Sequence, residues 1–198
     1  ISARPDNSPV AFMKWVKTQG RRCPILLCLG DSLTHGNASA SITPEIPIRL
    51  TQKIGLPLAK YGKTFADPLW VINFGQNSIT SHTILHERLN TATAIHPDYI
   101  FILIGTNDVQ RIYWGTTVGS VVDKINHLPE KPSLEALERN LTGILNGIRE
   151  ASPLVQVAIS TLPPLGEDLK SKSNDLVRQA NEVIDRVVKT AGERVTLI

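Results

Sequence analysis

The chain has 198 residues, of which 41% are hydrophobic and 20% are charged, and this composition fits one globular domain with a buried core. Its 21 Lys and Arg residues and 18 Asp and Glu residues give a net charge of +3 and are scattered, which argues against the basic face of a nucleic-acid-binding protein. No apolar run approaches the ~20 residues of a membrane-spanning helix, so we expect neither a nucleic-acid partner nor integral membrane association.

The start of the chain and its two cysteines say little about localisation. The sequence begins at Ile1 without an initiator Met or a signal-peptide pattern, which indicates a processed or trimmed product. Cys23 and Cys28 lie on one predicted extended segment, about 16 Å apart at strand rise, whereas disulfides need Cα atoms within about 7 Å. We therefore expect free thiols, and the compartment stays open between cytoplasmic and secreted.

Five apolar runs bounded by turn residues predict the strands. They cover 24–29, 69–74, 99–104, 155–161 and 194–198. Runs that are apolar at successive positions are typical of parallel strands covered on both faces.

Helical patterns alternate with these runs. The most regular begins after the N-cap candidate Ser133 and stops at Pro153, and a second covers 175–193. Weaker patterns predict helices at about 47–54 and 81–94 and a short one at 12–17. The alternation of strand and helix predicts an α/β fold for the single domain 1–198: a three-layer αβα, doubly wound sheet of about five parallel strands.

Ligands of such sheets bind beyond the carboxyl ends of the strands, where turns rich in glycine and polar residues occur in this sequence. The segment from Val109 to Pro132 shows no clear periodicity, and we interpret it as a long loop or lid over that edge. Its Tyr113 and Trp114 fit a role in the core as well as one in an acyl or sugar pocket.

The residues at the strand ends suggest a reaction. Hydrolysis of an ester through a covalent intermediate needs a nucleophile, a base, and donors for the oxyanion. Ser32 after the first strand is a candidate nucleophile, the backbone N–H of Gly75 after the second is a candidate donor, and so is the carboxamide of Asn107 after the third. Each also has an ordinary interpretation as a turn or cap residue.

The sequences "CLGDSLTHG", "VINFGQNS" and "ILIGTND" resemble, in order and strand-end context, three motif blocks of the GDSL or SGNH hydrolase family of esterases and lipases. The resemblance implies a flavodoxin-like SGNH hydrolase fold without metal or cofactor, with Ser32 as nucleophile. It also implies oxyanion donors at Ser32 N–H, Gly75 N–H and Asn107. Asp31 and Asp108 would organise the loops by hydrogen bonding.

Leu33, also in the first block, would bind substrate or organise the same turn. The family's fourth block, an Asp-x-x-His that supplies the base, does not occur in these 198 residues. We therefore expect the polypeptide to continue past Ile198. The alternative is a catalytically incomplete form.

The histidines present are weaker candidates for the base. His35 follows Ser32 on the same predicted turn and would point along the helix rather than across the site. His82 and His86 have a spacing that can chelate zinc, but the acidic residue follows the second histidine rather than the first. Helix packing is the simpler interpretation, and His96 belongs to the opposite edge of the sheet.

The sequence thus predicts a serine hydrolase acting on small-molecule carboxylic esters, including acetyl or short acyl esters of carbohydrate or lipid. An acyl thioesterase or lysophospholipase remains an alternative, as does a pseudo-enzyme or ligand-binding module that lacks a base. A flavodoxin-like nucleotide-binding domain fits less well, because Asp31 would repel phosphate. The oligomeric state is not predicted.

Overall fold

The computed structural model describes residues 24–36, 70–125 and 131–198. Five strands in these ranges form one parallel sheet in the order β2-β1-β3-β4-β5. They are β1 (Ile25–Gly30), β2 (Trp70–Gly75), β3 (Tyr99–Leu103), β4 (Gln156–Ile159) and β5 (Val195–Leu197). Each coincides with a predicted apolar run, and the α/β fold is confirmed.

The helices connect these strands. They are α1 (Ser32–His35), α2 (Ser81–Thr83), α3 (Leu89–Ala94), α4 (Thr106–Ile125), α5 (Leu134–Ala151) and α6 (Lys172–Thr190), with a π-helical turn, Ile84–Arg88, joining α2 to α3. The patterns predicted at 81–94, after Ser133 and at 175–193 therefore all form helices. Those predicted at 12–17 and 47–54 lie outside the described residues.

The two long helices form where the sequence pattern places them. Ser133 caps α5, its hydroxyl accepting a hydrogen bond from Ala136 N–H at 3.1 Å, and Ser171 caps α6 in the same way. One face of each helix is buried in the core. Those faces comprise Leu137, Leu141, Ile144, Leu145 and Ile148 on α5, and Val177, Ala180, Val183, Ile184 and Val187 on α6.

The sheet is covered on both faces. Successive side chains of a strand point to opposite faces, and Leu27 and Cys28 of β1 are both fully buried. Cys28 is a free thiol, and burial raises its pKa to about 12. Cys23 lies outside the described residues. Within the described ranges, no helix is both long enough and apolar enough to cross a membrane.

The prediction of a loop or lid at 109–132 is wrong for residues 109–125, because α4 runs from Thr106 to Ile125. Two features explain why the spacing of apolar residues does not predict this helix. The backbone of Gly115 is not helical, with φ 63° and ψ −156°, so the helix is kinked there. Before the kink the burial does not follow hydrophobicity, since Arg111 is buried together with Val109 while Tyr113 and Trp114 are about half exposed. The interpretation of these aromatics as core residues is therefore not supported.

Candidate active site

The carboxyl ends of β1, β2 and β3 lie level with one another. Gly30 pairs with Gly75 on one side and with Leu103 on the other. The chain order reverses between β1 and β3, and ligands of such sheets bind outside the strand ends at that point. Ser32 follows β1 and Asn107 follows β3, so the fold brings these two predicted site residues to one edge.

Ser32 is the first residue of α1, a helix of one turn that is capped at both ends. Asp31 Oδ1 accepts a hydrogen bond from Leu33 N–H at 2.9 Å, and Gly36, with φ 98°, donates its N–H to Ser32 O at 2.9 Å. The N–H of a first helical residue has no acceptor within its own helix. Ser32 therefore offers both a half-buried hydroxyl and a backbone donor at the ligand edge.

Gly75 ends β2 in close contact with α1. A Cβ at this position would lie 2.3 Å from His35 N and 2.8 Å from the Thr34 carbonyl carbon, so no other residue fits without moving α1. The Gly75 N–H donates to Asn73 Oδ1 at 3.0 Å. Its use as an oxyanion donor stays a prediction, and that use requires Asn73 to release it.

Asn107 is held by the loop that follows β2. Its Nδ2 donates to Ile79 O at 2.8 Å, and because a carboxamide nitrogen carries two hydrogens, one remains for a second acceptor. Arg111, one turn further along α4, donates to Ser78 O at 3.1 Å. Ser78 has a positive φ of 61°, so this loop is strained where α4 anchors it.

Asp31 is a fully buried carboxylic acid beneath the Ser32 turn. Loss of hydration on burial raises its pKa from 3.8 to about 6, the Leu33 N–H opposes the rise, and the nearby Asp108 carboxyl adds to it. The nearby Thr106 hydroxyl also opposes the rise in the pKa of Asp31. Thr106 Oγ1 itself forms no hydrogen bond within the described residues. Within the described residues, Asp31 Oδ2 has no hydrogen-bond partner.

Asp108 joins three helices at the same edge. Its carboxylate accepts from Ser81 N–H at 3.0 Å and from the Ser81 hydroxyl at 2.6 Å, and Asn140 Nδ2 donates to the same hydroxyl at 3.0 Å. Burial raises the pKa of Asp108, while the bonds from Ser81 and the charge of Arg111 oppose the rise. The loop-organising role that the resemblance implies for Asp108 stays a proposal, and these contacts are what supports it.

The described histidines do not provide an evident base. His35 Nδ1 lies 3.1 Å from Gly75 O, and since a carbonyl only accepts, this nitrogen carries the proton in that bond and is not free to accept one from Ser32. The rings of His82 and His86 contact each other, with centroids 4.2 Å apart. No group of three or more His, Cys, Asp or Glu residues within the described part of the chain could hold a metal ion.

Sequence reasoning missed four polar residues that build this edge: Asn73, Ser81, Arg111 and Asn140. Asn73 had a usable signal, since it is a polar residue within the apolar run 69–74. The other three lie on helices and give no signal, because a polar residue in a helix is usually exposed and the sequence alone does not reveal that these side chains are buried. Leu33 is partly buried and packs against the hydrophobic core.

Comparisons with known proteins agree with this geometry. The model of the GDSL-like Lipase/Acylhydrolase family matches residues 28–198. Among solved structures, the chain resembles LAE5, an alpha/beta hydrolase enzyme from the metagenome of Lake Arreo, Spain, with TM-score 0.64 and 16% identity over 87% of this chain and 75% of that one.

The chain also resembles Axe2, an acetylxylan esterase from Geobacillus stearothermophilus, with TM-score 0.62 and 19% identity over 87% of this chain and 74% of that one. The chain is also similar to AlinE4, an SGNH-hydrolase family esterase, with TM-score 0.59 and 18% identity over 89% of this chain and 76% of that one. A comparison with curated protein sequences found no match. Identities this low support the fold alone, whereas the family model covers most of the sequence, and the chain therefore belongs to the GDSL-like lipase/acylhydrolase family.

Proposed function

We propose that the protein hydrolyses carboxylic esters through an acyl-enzyme formed on Ser32. The observation that carries this proposal is the level register of β1 and β3, which brings the half-buried Ser32 and the oriented carboxamide of Asn107 to one edge. A serine without a donor for the developing oxyanion would be an ordinary turn residue. Membership of the GDSL-like lipase/acylhydrolase family supports ester hydrolysis in general.

The reaction has two halves. Ser32 Oγ forms a bond to the ester carbonyl carbon while its proton passes to a base, and the carbonyl oxygen becomes an oxyanion. Collapse of this intermediate breaks the bond to the alcohol oxygen, which leaves with the proton. Water then attacks the acyl-enzyme in the same way and releases the carboxylic acid.

Two donors receive the oxyanion in this proposal: the N–H of Ser32 and the second hydrogen of Asn107 Nδ2. Asn107 is pre-organised, because its other hydrogen is already bonded to Ile79 O at 2.8 Å. Removing one such donor from a hydrolase costs about 10²–10³-fold in kcat. Gly75 N–H is a third donor only in a state in which Asn73 no longer accepts it.

Among the described residues, the base is not assigned in this proposal. The family resemblance assigns it to an Asp-x-x-His block, which the 198 residues do not contain. The rival function, a binding module that keeps the site without a base, is motivated by the same observation.

For the substrate, we propose acetyl or short acyl esters. The loop residues Gln76, Asn77 and Ser78 next to Gly75 are exposed and polar, which suits a hydroxylated alcohol such as a carbohydrate better than a long acyl chain. An acyl thioesterase or lysophospholipase would instead prefer long acyl chains.

The test compares the full-length protein with Ser32→Ala and with the control Ser160→Ala. Ser160 also directly follows a strand at this edge, but its hydroxyl is bonded to Thr161 O at 2.9 Å. Nitrophenyl esters of acetate, butyrate and palmitate and an acetylated oligosaccharide serve as substrates. We expect hydrolysis that falls with chain length, survives in Ser160→Ala and is lost in Ser32→Ala. Absence of hydrolysis with retained binding of acetylated sugar would favour the binding module.

A further inference from the structure

The end of β2 and the C-terminal end of α1 are joined by two hydrogen bonds, and a third bond within β2 orients the Asn73 side chain. Asn73 Nδ2 donates to His35 O at 3.3 Å, His35 Nδ1 donates to Gly75 O at 3.1 Å, and Gly75 N–H donates to Asn73 Oδ1 at 3.0 Å. The three bonds form a closed ring between three residues. We call this ring of Asn73, Gly75 and His35 the β2–α1 clamp.

At the clamp, the backbone of β2 is in direct contact with the backbone of α1. A Cβ on Gly75 would lie 2.3 Å from His35 N and 2.8 Å from its Cα, so the two segments are already as close as a glycine permits. One more backbone bond, Gln76 N–H to Gly30 O at 3.0 Å, ties the residue after β2 to the strand that leads into α1. The position of α1 is therefore set by β2 as well as by its own strand.

Such support matters because α1 has only four residues. A single helical turn is unfavourable on its own, since it fixes several dihedral angles for one hydrogen bond, and its last carbonyls have no partner within the helix. His35 O is one of these carbonyls. Asn73 supplies its donor from another strand, 38 residues away in sequence.

The same turn holds Ser32 at its other end. Gly36 N–H is bonded to Ser32 O at 2.9 Å and His35 N–H to Asp31 O at 2.9 Å, so a shift of His35 is carried directly to Ser32. Reactions in enzyme sites are sensitive to such shifts, since about 1 Å of misplacement can cost about 10²-fold in rate.

We propose that Asn73 is a positioning residue for the Ser32 nucleophile, acting through His35 O and Gly75 N–H. The inference rests on the proposed function of Ser32. Asn73 touches neither substrate nor reacting atoms in this scheme. Its carboxamide is suited to the task because one side chain provides both the donor for His35 and the acceptor for Gly75, which no hydrophobic or singly polar residue does.

The substitution Asn73→Asp separates the two halves of the clamp, because Asp keeps an acceptor for Gly75 N–H and loses the donor to His35 O. A matched control exists on α6, where Asn181 makes the same double contact with another backbone segment: Oδ1 accepts from Leu162 N–H at 2.7 Å and Nδ2 donates to Leu162 O at 3.1 Å. Asn181→Asp therefore changes the same chemistry at a position outside the clamp.

The experiment measures labelling of Ser32 in the full-length protein by a fluorophosphonate, together with kcat and KM for nitrophenyl acetate. We expect Asn73→Asp to lower the labelling rate and kcat at least about tenfold with KM within about twofold. Asn181→Asp should retain the wild-type values. His35→Ala, which removes one exposed ring and its bond to Gly75 O, should lower the labelling rate in the same direction by a smaller factor.

Wild-type labelling by Asn73→Asp, or equal losses in Asn73→Asp and Asn181→Asp, would overturn the proposal. If Asn73→Asp does not fold, Asn73→Ser decides, because it too removes the carboxamide that bonds both His35 O and Gly75 N–H, and a wild-type labelling rate in that variant would overturn it. These outcomes are separate from failure of the proposed function, which would appear as a wild-type protein that is not labelled, or as labelling that persists in Ser32→Ala.

Discussion

Replacing Asp31 by Asn should stabilise the folded protein, and the gain should grow as the pH rises. Asn keeps an oxygen that can accept the bond from Leu33 N–H, now 2.9 Å long, so the helix cap survives. What it removes is a carboxyl group that is fully buried and must ionise without water around it. The folded protein therefore gains most where the wild-type carboxyl is charged.

The magnitude follows from the pKa of Asp31. Burial raises it from 3.8 to about 6, so the folded state binds the proton more tightly than the unfolded state and the wild-type protein loses stability as the pH rises through this window. At about 1.4 kcal/mol per pH unit, the full effect is about 3 kcal/mol. About 2 kcal/mol of it should develop between about pH 4.5 and about pH 7.5.

Urea denaturation at these two pH values measures the effect as the difference in free energy of unfolding between Asp31→Asn and the wild type. Asp168→Asn is the matched control, because Asp168 Oδ1 accepts from Lys170 N–H at 2.9 Å in the same local arrangement but at the surface. A difference that stays constant between the two pH values would refute the role of burial. The same pH-dependent gain in both variants would indicate a general effect of removing charge.

Two further substitutions test the packing around the site. Gly75→Ala should destabilise the fold by about 1–3 kcal/mol, because its Cβ would lie 2.3 Å from His35 N; a thermal unfolding curve that matches the wild type would contradict that contact. Ser81→Ala should lower the free energy of unfolding by about 2–3 kcal/mol, since it removes a 2.6 Å bond to Asp108 and the partner of Asn140. Urea denaturation measures this loss, and a loss below about 0.5 kcal/mol would mean that water replaces the hydroxyl.

Much of the fold follows from local sequence. A parallel strand covered on both faces is typically an unbroken apolar run, and the sequences of β1 and β3 are runs of this kind. The long helices α5 and α6 follow from a three- and four-residue apolar spacing with a serine cap. These signals are local, and so they can be identified without knowing the tertiary partners.

The kinked helix α4 and the β2–α1 clamp could not be found in this way. In α4, Gly115 interrupts the helical backbone, and Arg111 is buried beside Val109 while Tyr113 and Trp114 are about half exposed, so the apolar spacing that predicts a helix is broken. The clamp joins residues 38 and 40 apart in sequence. Such pairings depend on the strand register, which the local sequence does not encode.

The central claim, that Ser32 is the nucleophile of an ester hydrolase, is tested most directly by locating a covalent adduct. The full-length protein is treated with a fluorophosphonate, digested and analysed by mass spectrometry. The account predicts one phosphonylated residue, Ser32, formed in the native protein and absent after denaturation with urea before treatment. A native protein that forms no adduct, or forms it on another serine, would contradict the account.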